Sequence, residues 1–381
     1  MFIIALKMLI GDRTKYYGLI FGVAFATLLM AQQISIFLGI MTRVANPIYA
    51  IPEVDLWVMD PRVRYLEEVE PMRDIELSRV KGVEGIEWAV PFYKGQAVIR
   101  RADGYTQQVQ LIGVDDTTLI GLPRTVVLGD LASIKRPQTA IIEKKGYMFM
   151  WPDKSFETNK TLELNDNRLV IRGICQSLPT FLTFPTLYVS YSTAVSLTPP
   201  TRKKLPFILV KAQKDENLKM LKERIQKTTH LQVLTSSEFA WRSISYILER
   251  TAIPINFGIT ILLGIIIGAA ITAQTFYLFV IEHIKQFGAM KAIGFSNGQL
   301  FKLVMIQALF VCISGFGLGI GATALFFSLM SGKPAFEGFL LKWYVIAGTF
   351  GLIISIILLS ISFSLYRVFK LDPATIFRST L

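Results

Sequence analysis

The chain has 381 residues, of which 52% are hydrophobic, 12% aromatic and 18% charged, with a formal net charge of +12. That is too apolar for an ordinary soluble domain, so a membrane protein is the expected class. The charge is not a nucleic-acid signature. Residues 43–250 hold 29 basic against 24 acidic side chains, leaving 11 against 4 for the apolar remainder. Only the modest cluster Arg202, Lys203, Lys204 stands out in the polar part, which lacks the basic, aromatic-interleaved face that nucleic-acid binding wants.

In chain order, residues 1–15 read as a short amphipathic segment before the first membrane-length run, 16–42. A helix needs about 20 consecutive apolar residues to cross the hydrocarbon. This run is far longer than the hydrophobic core of a cleaved signal peptide, so it reads as a retained first transmembrane helix. Its Gln32 and Gln33 read as interhelical packing groups, worth only about 1 kcal/mol each, or as groups facing a central seam.

Residues 43–250 form a large domain of mixed pattern. Alternating and β-branched stretches predict strands at 55–60, 168–175 and 207–212, and a pair of strands over 96–114 about the Asp103-Gly104 turn. Helices are predicted over 71–82, with Pro at its start and Gly at its end, and over 215–228, with Leu218, Leu221 and Ile225 on one face. An α+β domain follows, with a smaller subdomain expected around 115–180. It carries one histidine, His230, with no metal-ligand spacing and no nucleophile motif, so binding or docking is expected rather than catalysis. The two cysteines, Cys175 and Cys312, lie one in this domain and one in an apolar run, which argues against an internal disulfide.

The last third predicts three more transmembrane helices, within 251–281, 300–330 and 343–366. Between the first two of these lies a polar stretch, 282–299. A helix from Glu282 to Ile293 should stop at Gly294, and Ser296 with Gln299 should cap the next one three residues later. Phe287, Met290 and Ile293 recur on this short helix at three-residue spacing, so they could enter a groove of a soluble partner or lie on lipid headgroups. Lys and Arg counts beside the spans place the N-terminus, this 282–299 connection and the 367–381 tail on the cytoplasmic side, and the domain and the 331–342 loop outside. Gly315, Gly317, Gly319 and Gly321 make two overlapping GxxxG spacings, and Gly264 with Gly268 a third; each permits close helix approach, within the chain or at a dimer seam. No GxxxxGK[ST] phosphate loop occurs, so any ATP-driven work needs another polypeptide. The spans lack the ionisable groups usual in secondary transporters.

The stretch EHIKQFGAMKAIGFSNGQLFKLVMIQALFVCISGFGLGIG (282–321) resembles the FtsX/MacB-like ABC transporter permease superfamily, with its core at Met290, Lys291, Ala292, Ile293 and Gly294. The N-terminal MFIIALKMLIGDRTKYY, the closing YRVFKLDPATIFRSTL with Asp372 as helix cap before Pro373, and the one-plus-three layout agree with it. The Glu282-His283 pair and the DLWVMD opening of the domain are most similar to DevC-type permease subunits. Gln286, Gln307 and Phe377 depart from residues frequent in the family, and no charge-based coupling contact is carried over from it.

The resemblance implies a four-helix membrane protein of a bacterial plasma (inner) membrane, both termini cytoplasmic, with a large α+β extracytoplasmic (periplasmic) domain between helices one and two. It implies a non-catalytic permease subunit, itself without cofactor, dimerising in the lipid and recruiting cytoplasmic ABC ATPases that bind ATP and Mg. Those would drive the 282–299 coupling helix through Glu282, Phe287, Met290, Lys291, Ile293 and Gly294, a mode called mechanotransmission. The DevC-like branch implies cargo export with a periplasmic adaptor and an outer-membrane duct. Lipoprotein release, cell-wall regulation by an FtsX-like subunit, and a non-transporting receptor or scaffold are the alternatives, since fold does not name cargo.

Overall fold

In the computed structural model, residues 2–369 are described except 12, 153–154, 199–204, 334–335 and 337. The basic cluster at 202–204, Glu337 and the tail features at 372–378 therefore lie outside the described residues. The chain divides into two units, one carrying the apolar helices and the other formed by Ile40–Thr251.

The first unit is built from helices that satisfy their own backbone, the economical solution where no water can hydrogen-bond. Helix α1 (Phe2–Gly11) leads into α2 (Arg13–Tyr49), and α8 (Ile253–Glu282), α9 (Ile284–Ala292), α10 (Asn297–Met330) and α11 (Trp343–Phe369) close the chain. Four of these, α2, α8, α10 and α11, are long and apolar enough to cross a membrane. Their shared core includes Leu19, Val23, Ala26 and Met30 of α2, Phe276 of α8, Val304 and Val311 of α10, and Ile353 and Ile357 of α11.

Helix α2 is longer than its apolar run. At 37 residues it measures about 55 Å, well beyond a hydrocarbon core of about 30 Å. Its last turns, with Ala45 and Ile48, are core residues of the inter-span domain. The sequence boundary expected near residue 42 marks the end of unbroken apolarity, while the helix itself runs on to Tyr49 through Pro47.

The inter-span domain is one ten-stranded sheet flanked by helices. The strands are β1 (Leu56–Met59), β2 (Ile86–Arg101), β3 (Thr106–Val114), β4 (Thr125–Gly129), β5 (Thr139–Glu143), β6 (Lys160–Leu164), β7 (Asn167–Gln176), β8 (Thr186–Ser190), β9 (Phe207–Ala212) and β10 (Gln232–Thr235). The order is β10-β1-β9-β2-β3-β8-β5-β7-β4, with β6 beside β2 and β7. Pairing is antiparallel except for β3 with β8 and β5 with β7. The 16-residue β2 joins the halves: its first part pairs with β9 and its second with β3 and β6.

The first half shows why its strands are apolar without alternation. On β1 and β9, Leu56, Val58, Ile208 and Val210 belong to one core, with Val80 of α3 (Ile75–Lys81) and Leu221 and Ile225 of α6 (Leu218–Thr229). Trp57, Met59, Phe207 and Leu209 belong to the opposite core, with Phe239 of α7 (Ser236–Arg250) and the end of α2. A strand covered on both faces reads as an apolar run. The second half buries Ile99, Leu111, Ile142 and Ile171 against Tyr147 of α4 (Lys144–Met150) and Ala194 of α5 (Tyr191–Leu197).

The predicted strands and helices are present with shifts at their ends. Helix α3 begins after Asp74 rather than at Pro71, because the peptide at Met72 is bridged to Leu205. Leu218, placed on the buried face of α6 by spacing, is 37% exposed, because Asn217 caps the helix and puts Leu218 in its first, outward turn. His230 is the C-cap of α6 with φ of 59°, a backbone role.

A shielded ion pair is set into this sheet. The Lys94 ammonium on β2 is bound by Glu67, and both are shielded from solvent. Burial holds the Lys94 pKa below its ordinary range while the Glu67 carboxylate pulls it upward. Leaving one such charge unpaired is the costly case. Glu67→Gln is expected to destabilise the domain by about 3–5 kcal/mol, whereas the double change Glu67→Leu with Lys94→Met is expected to be near neutral. Hydrogen exchange of the β2 amides in the full-length protein measures both.

Candidate functional site

The elbow between α8 and α10 is the candidate site. Helix α8 ends at Glu282, and His283 is a one-residue break whose ring nitrogen Nδ1 lies 2.9 Å from the Phe279 carbonyl. The chain then re-enters helix as α9, whose first helical bond is the Phe287 amide donating to the carbonyl of its N-cap His283 at 2.9 Å.

Its other end is closed by two interlocked caps. Gly294 has φ of 103°, a left-handed conformation that an L side chain resists. Its amide donates to the Lys291 carbonyl and the Phe295 amide to the Met290 carbonyl, both at 3.0 Å. These bonds form a Schellman motif, and Met290 and Phe295 supply its apolar contact by packing on the same core. Two residues on, Ser296 Oγ accepts from the Gln299 amide and the Gln299 side chain accepts from the Ser296 amide. That is the capping box read from the sequence. One turn therefore ends α9 and starts α10, with each amide from Ile293 to Ser296 bonded within it, which restrains the bend.

The six residues expected at a coupling helix do not share one face. Phe287 is 1% exposed, inside the core with Leu300, Leu303 and Val304, and Met290 is half-buried against it. The expectation that Phe287 inserts into a partner is corrected: its ring is the anchor that holds α9 on the bundle. Ile293 is 79% exposed at the tip of α9 beside exposed Gly294, with Ala289 and Ala292 also exposed, Lys291 at their margin, and Glu282 exposed at the far end. Spacing of three residues missed this split because helical rows follow 3.6 residues per turn, so Phe287 and Ile293 drift apart. Phe295 was not singled out by spacing, and its role follows only from the Schellman geometry.

The glycines also separate. A methyl group built on Gly319 would lie 2.5 Å from Thr27 Cβ and 2.6 Å from the Ala24 carbonyl; on Gly315 it would lie 2.7 Å from Val23 Cβ, and on Gly268 2.7 Å from Ala26 Cβ. Gly264 faces Met30 at 3.3 Å. These four let α2 nest against α8 and α10, so their packing is within the chain. Gly317 and Gly321 look into open space. Among the described residues no three His, Cys, Asp or Glu side chains are grouped to hold a metal ion, and both cysteines are buried free thiols.

The model of the MacB-like periplasmic core domain matches residues 17–228, and that of the FtsX-like permease C-terminal region matches residues 258–373. The chain belongs to the FtsX/MacB-like family of ABC transporter permeases. Among solved structures it is similar to the periplasmic region of MacB from Actinobacillus actinomycetemcomitans, at 16% identity over 54% of this chain and 96% of that one, with a TM-score of 0.37. It is also similar to the extracellular domain of the noncanonic ABC-type transporter YknZ from Gram-positive bacteria, at 13% identity over 48% and 98%, with a TM-score of 0.37. With four membrane-length helices and this family, the chain is a multi-pass inner-membrane permease component.

Two substitutions in α10 test the glycine assignment. Gly319→Val is expected to cost about 1–3 kcal/mol by overpacking against Thr27, while Gly317→Val is expected to leave the monomer's folding unchanged. Thermal aggregation midpoints of the purified full-length variants measure the difference. Likewise, Phe287→Ala is expected to loosen the elbow by about 3–5 kcal/mol, read as faster hydrogen exchange through 284–300.

Proposed function

We propose that the chain is the transmembrane subunit of an exporter driven by a separate ATPase, and that it passes on motion by mechanotransmission rather than enclosing a substrate pore. The observation that carries this reading is the elbow: an apolar tip, Ile293 with Ala289 and Ala292, exposed on a helix whose opposite face is locked into the bundle by Phe287. An exposed apolar tip backed by a rigid support suits a soluble partner's groove. Rigidity is what a transmission element requires, since a push at Ile293 would move α8 and α10 together through the paired caps instead of bending the turn.

In this reading two ATPase subunits meet two copies of the chain on the side of the lipid that holds α9, with the inter-span domain on the other. ATP and Mg belong to the partner. A dimer seam would draw on outward Gly317 and Gly321, which the intrachain packing leaves unused. An adaptor and an outer-membrane duct would meet the inter-span domain.

Ile293→Asp tests the reading without touching the core. Its expected outcome is loss of ATPase co-purification and of ATPase stimulation by at least roughly tenfold, consistent with a buried apolar anchor worth ~2 kcal/mol, with unchanged membrane insertion and unfolding temperature. Unchanged co-purification of an ATPase with the variant would overturn it. A wild-type pull-down that brings no ATPase, even after crosslinking at residue 293, would favour the receptor or scaffold alternative.

A further inference from the structure

A second feature lies wholly in the inter-span domain and does not rest on the coupling reading. A cavity of about 470 Å³ opens beside the end of α2. Its floor is apolar and buried: Ile51, Trp57, Leu66, Phe92, Ile112 and Tyr188. The edge of Trp57 against Phe92, with ring centroids 5.7 Å apart, fixes that floor. Asn46 ties the end of α2 to the opposite wall by donating to the Pro179 carbonyl at 2.8 Å.

The mouth has a different character. Tyr49 and Leu178 stand about half exposed there, at 53% and 50%, apolar surface left open by the described residues. The lining also holds Arg124, whose side chain is 84% exposed and contacts Glu53 through one nitrogen. An arginine has five N–H donors in a fixed fork, so most remain for a ligand. Ser177, also in the lining, keeps its hydroxyl buried beside Tyr188. The volume falls within the range of sites that enclose small-molecule ligands, lined by apolar groups with a few polar ones to orient them.

We propose that this cavity binds a single-chain amphiphile with an anionic head, the apolar body on the Trp57 and Phe92 floor and the head on Arg124. Arg124 is exposed while the apolar lining is buried, which sets that orientation. A carboxylate supplies the planar pair of oxygens that an arginine fork meets best. Lys94 is also in the lining, but its ammonium is already engaged by Glu67, so it adds no second cation for the head.

The test uses full-length protein in nanodiscs and dodecanoate carrying a diazirine near its methyl end, with adducts mapped by peptide mass spectrometry after irradiation. Adducts are expected on the cavity residues, displaced by excess dodecanoate and roughly tenfold less readily by dodecanol, as loss of a charge-assisted hydrogen bond predicts. Arg124→Gln is expected to weaken that labelling by a similar factor, and Leu178→Glu to abolish it. Both side chains are exposed, so both variants should fold, and the dodecanol competition examines the head group on the unmodified protein. Adducts confined to the spanning helices would show partition into lipid only and overturn the site. Equal displacement by dodecanol, or labelling indifferent to Arg124→Gln and Leu178→Glu, would overturn the anionic amphiphile.

Discussion

Hydrocarbon offers no hydrogen bonds, and the rest of this structure is arranged around that constraint. Each membrane-length segment is a single helix, so the chain turns at the ends of its spans rather than within them. Between α8 and α10 it does so in four residues, Ile293 to Ser296, with the Schellman bonds on one side and the capping box on the other. Gly294 is required there because the left-handed backbone at φ of 103° is what turns the last carbonyls of α9 back onto the amides of the bend. A bend bonded in this way has few alternative conformations, and Phe287 in the bundle core braces α9 further.

The same constraint explains the division of labour among glycines. Helices in lipid gain little from apolar burial, since the tails are equally apolar, and associate instead through close packing. Gly315 and Gly319 on α10 and Gly264 and Gly268 on α8 all admit α2, through Val23, Ala26, Thr27 and Met30. The first span is thereby held between the later ones although about two hundred residues separate them in the chain. The inter-span domain solves a different problem with water present. It covers both faces of β1 and β9, and the end of α2 supplies part of one cover through Ala45 and Ile48. A single helix thus contributes to the core of each unit.

Much of the architecture was legible because its signals are local. Four long apolar runs without charge, the Asp103-Gly104 turn between two alternating strands, and the Ser296 to Gln299 box each depend on neighbours within a few residues. Strands β4, β5, β6, β8 and β10 were not read. They are four or five residues long, and β5 and β8 are buried throughout, so neither length nor alternation distinguishes them. The continuation of α2 through Pro47 was likewise hidden, because proline and the polar residues near Arg43 signal an end that packing overrides.

By itself, then, the amino-acid order determined the spans, the elbow's caps and the family, all of which are set by hydropathy and short-range backbone chemistry. Which side of each element is available was decided only by the tertiary structure. Phe287 and Ile293 are equivalent candidates on paper, and the bundle buries one and exposes the other. Gly317 and Gly319 belong to equivalent motifs, and the position of α2 fills one and leaves the other open. The cavity at the end of α2 draws its floor from residues between 51 and 188, brought together by the register of strands distant in sequence. Exposure is a property of what packs against a residue, and packing partners separated by hundreds of residues leave no periodic trace in the chain.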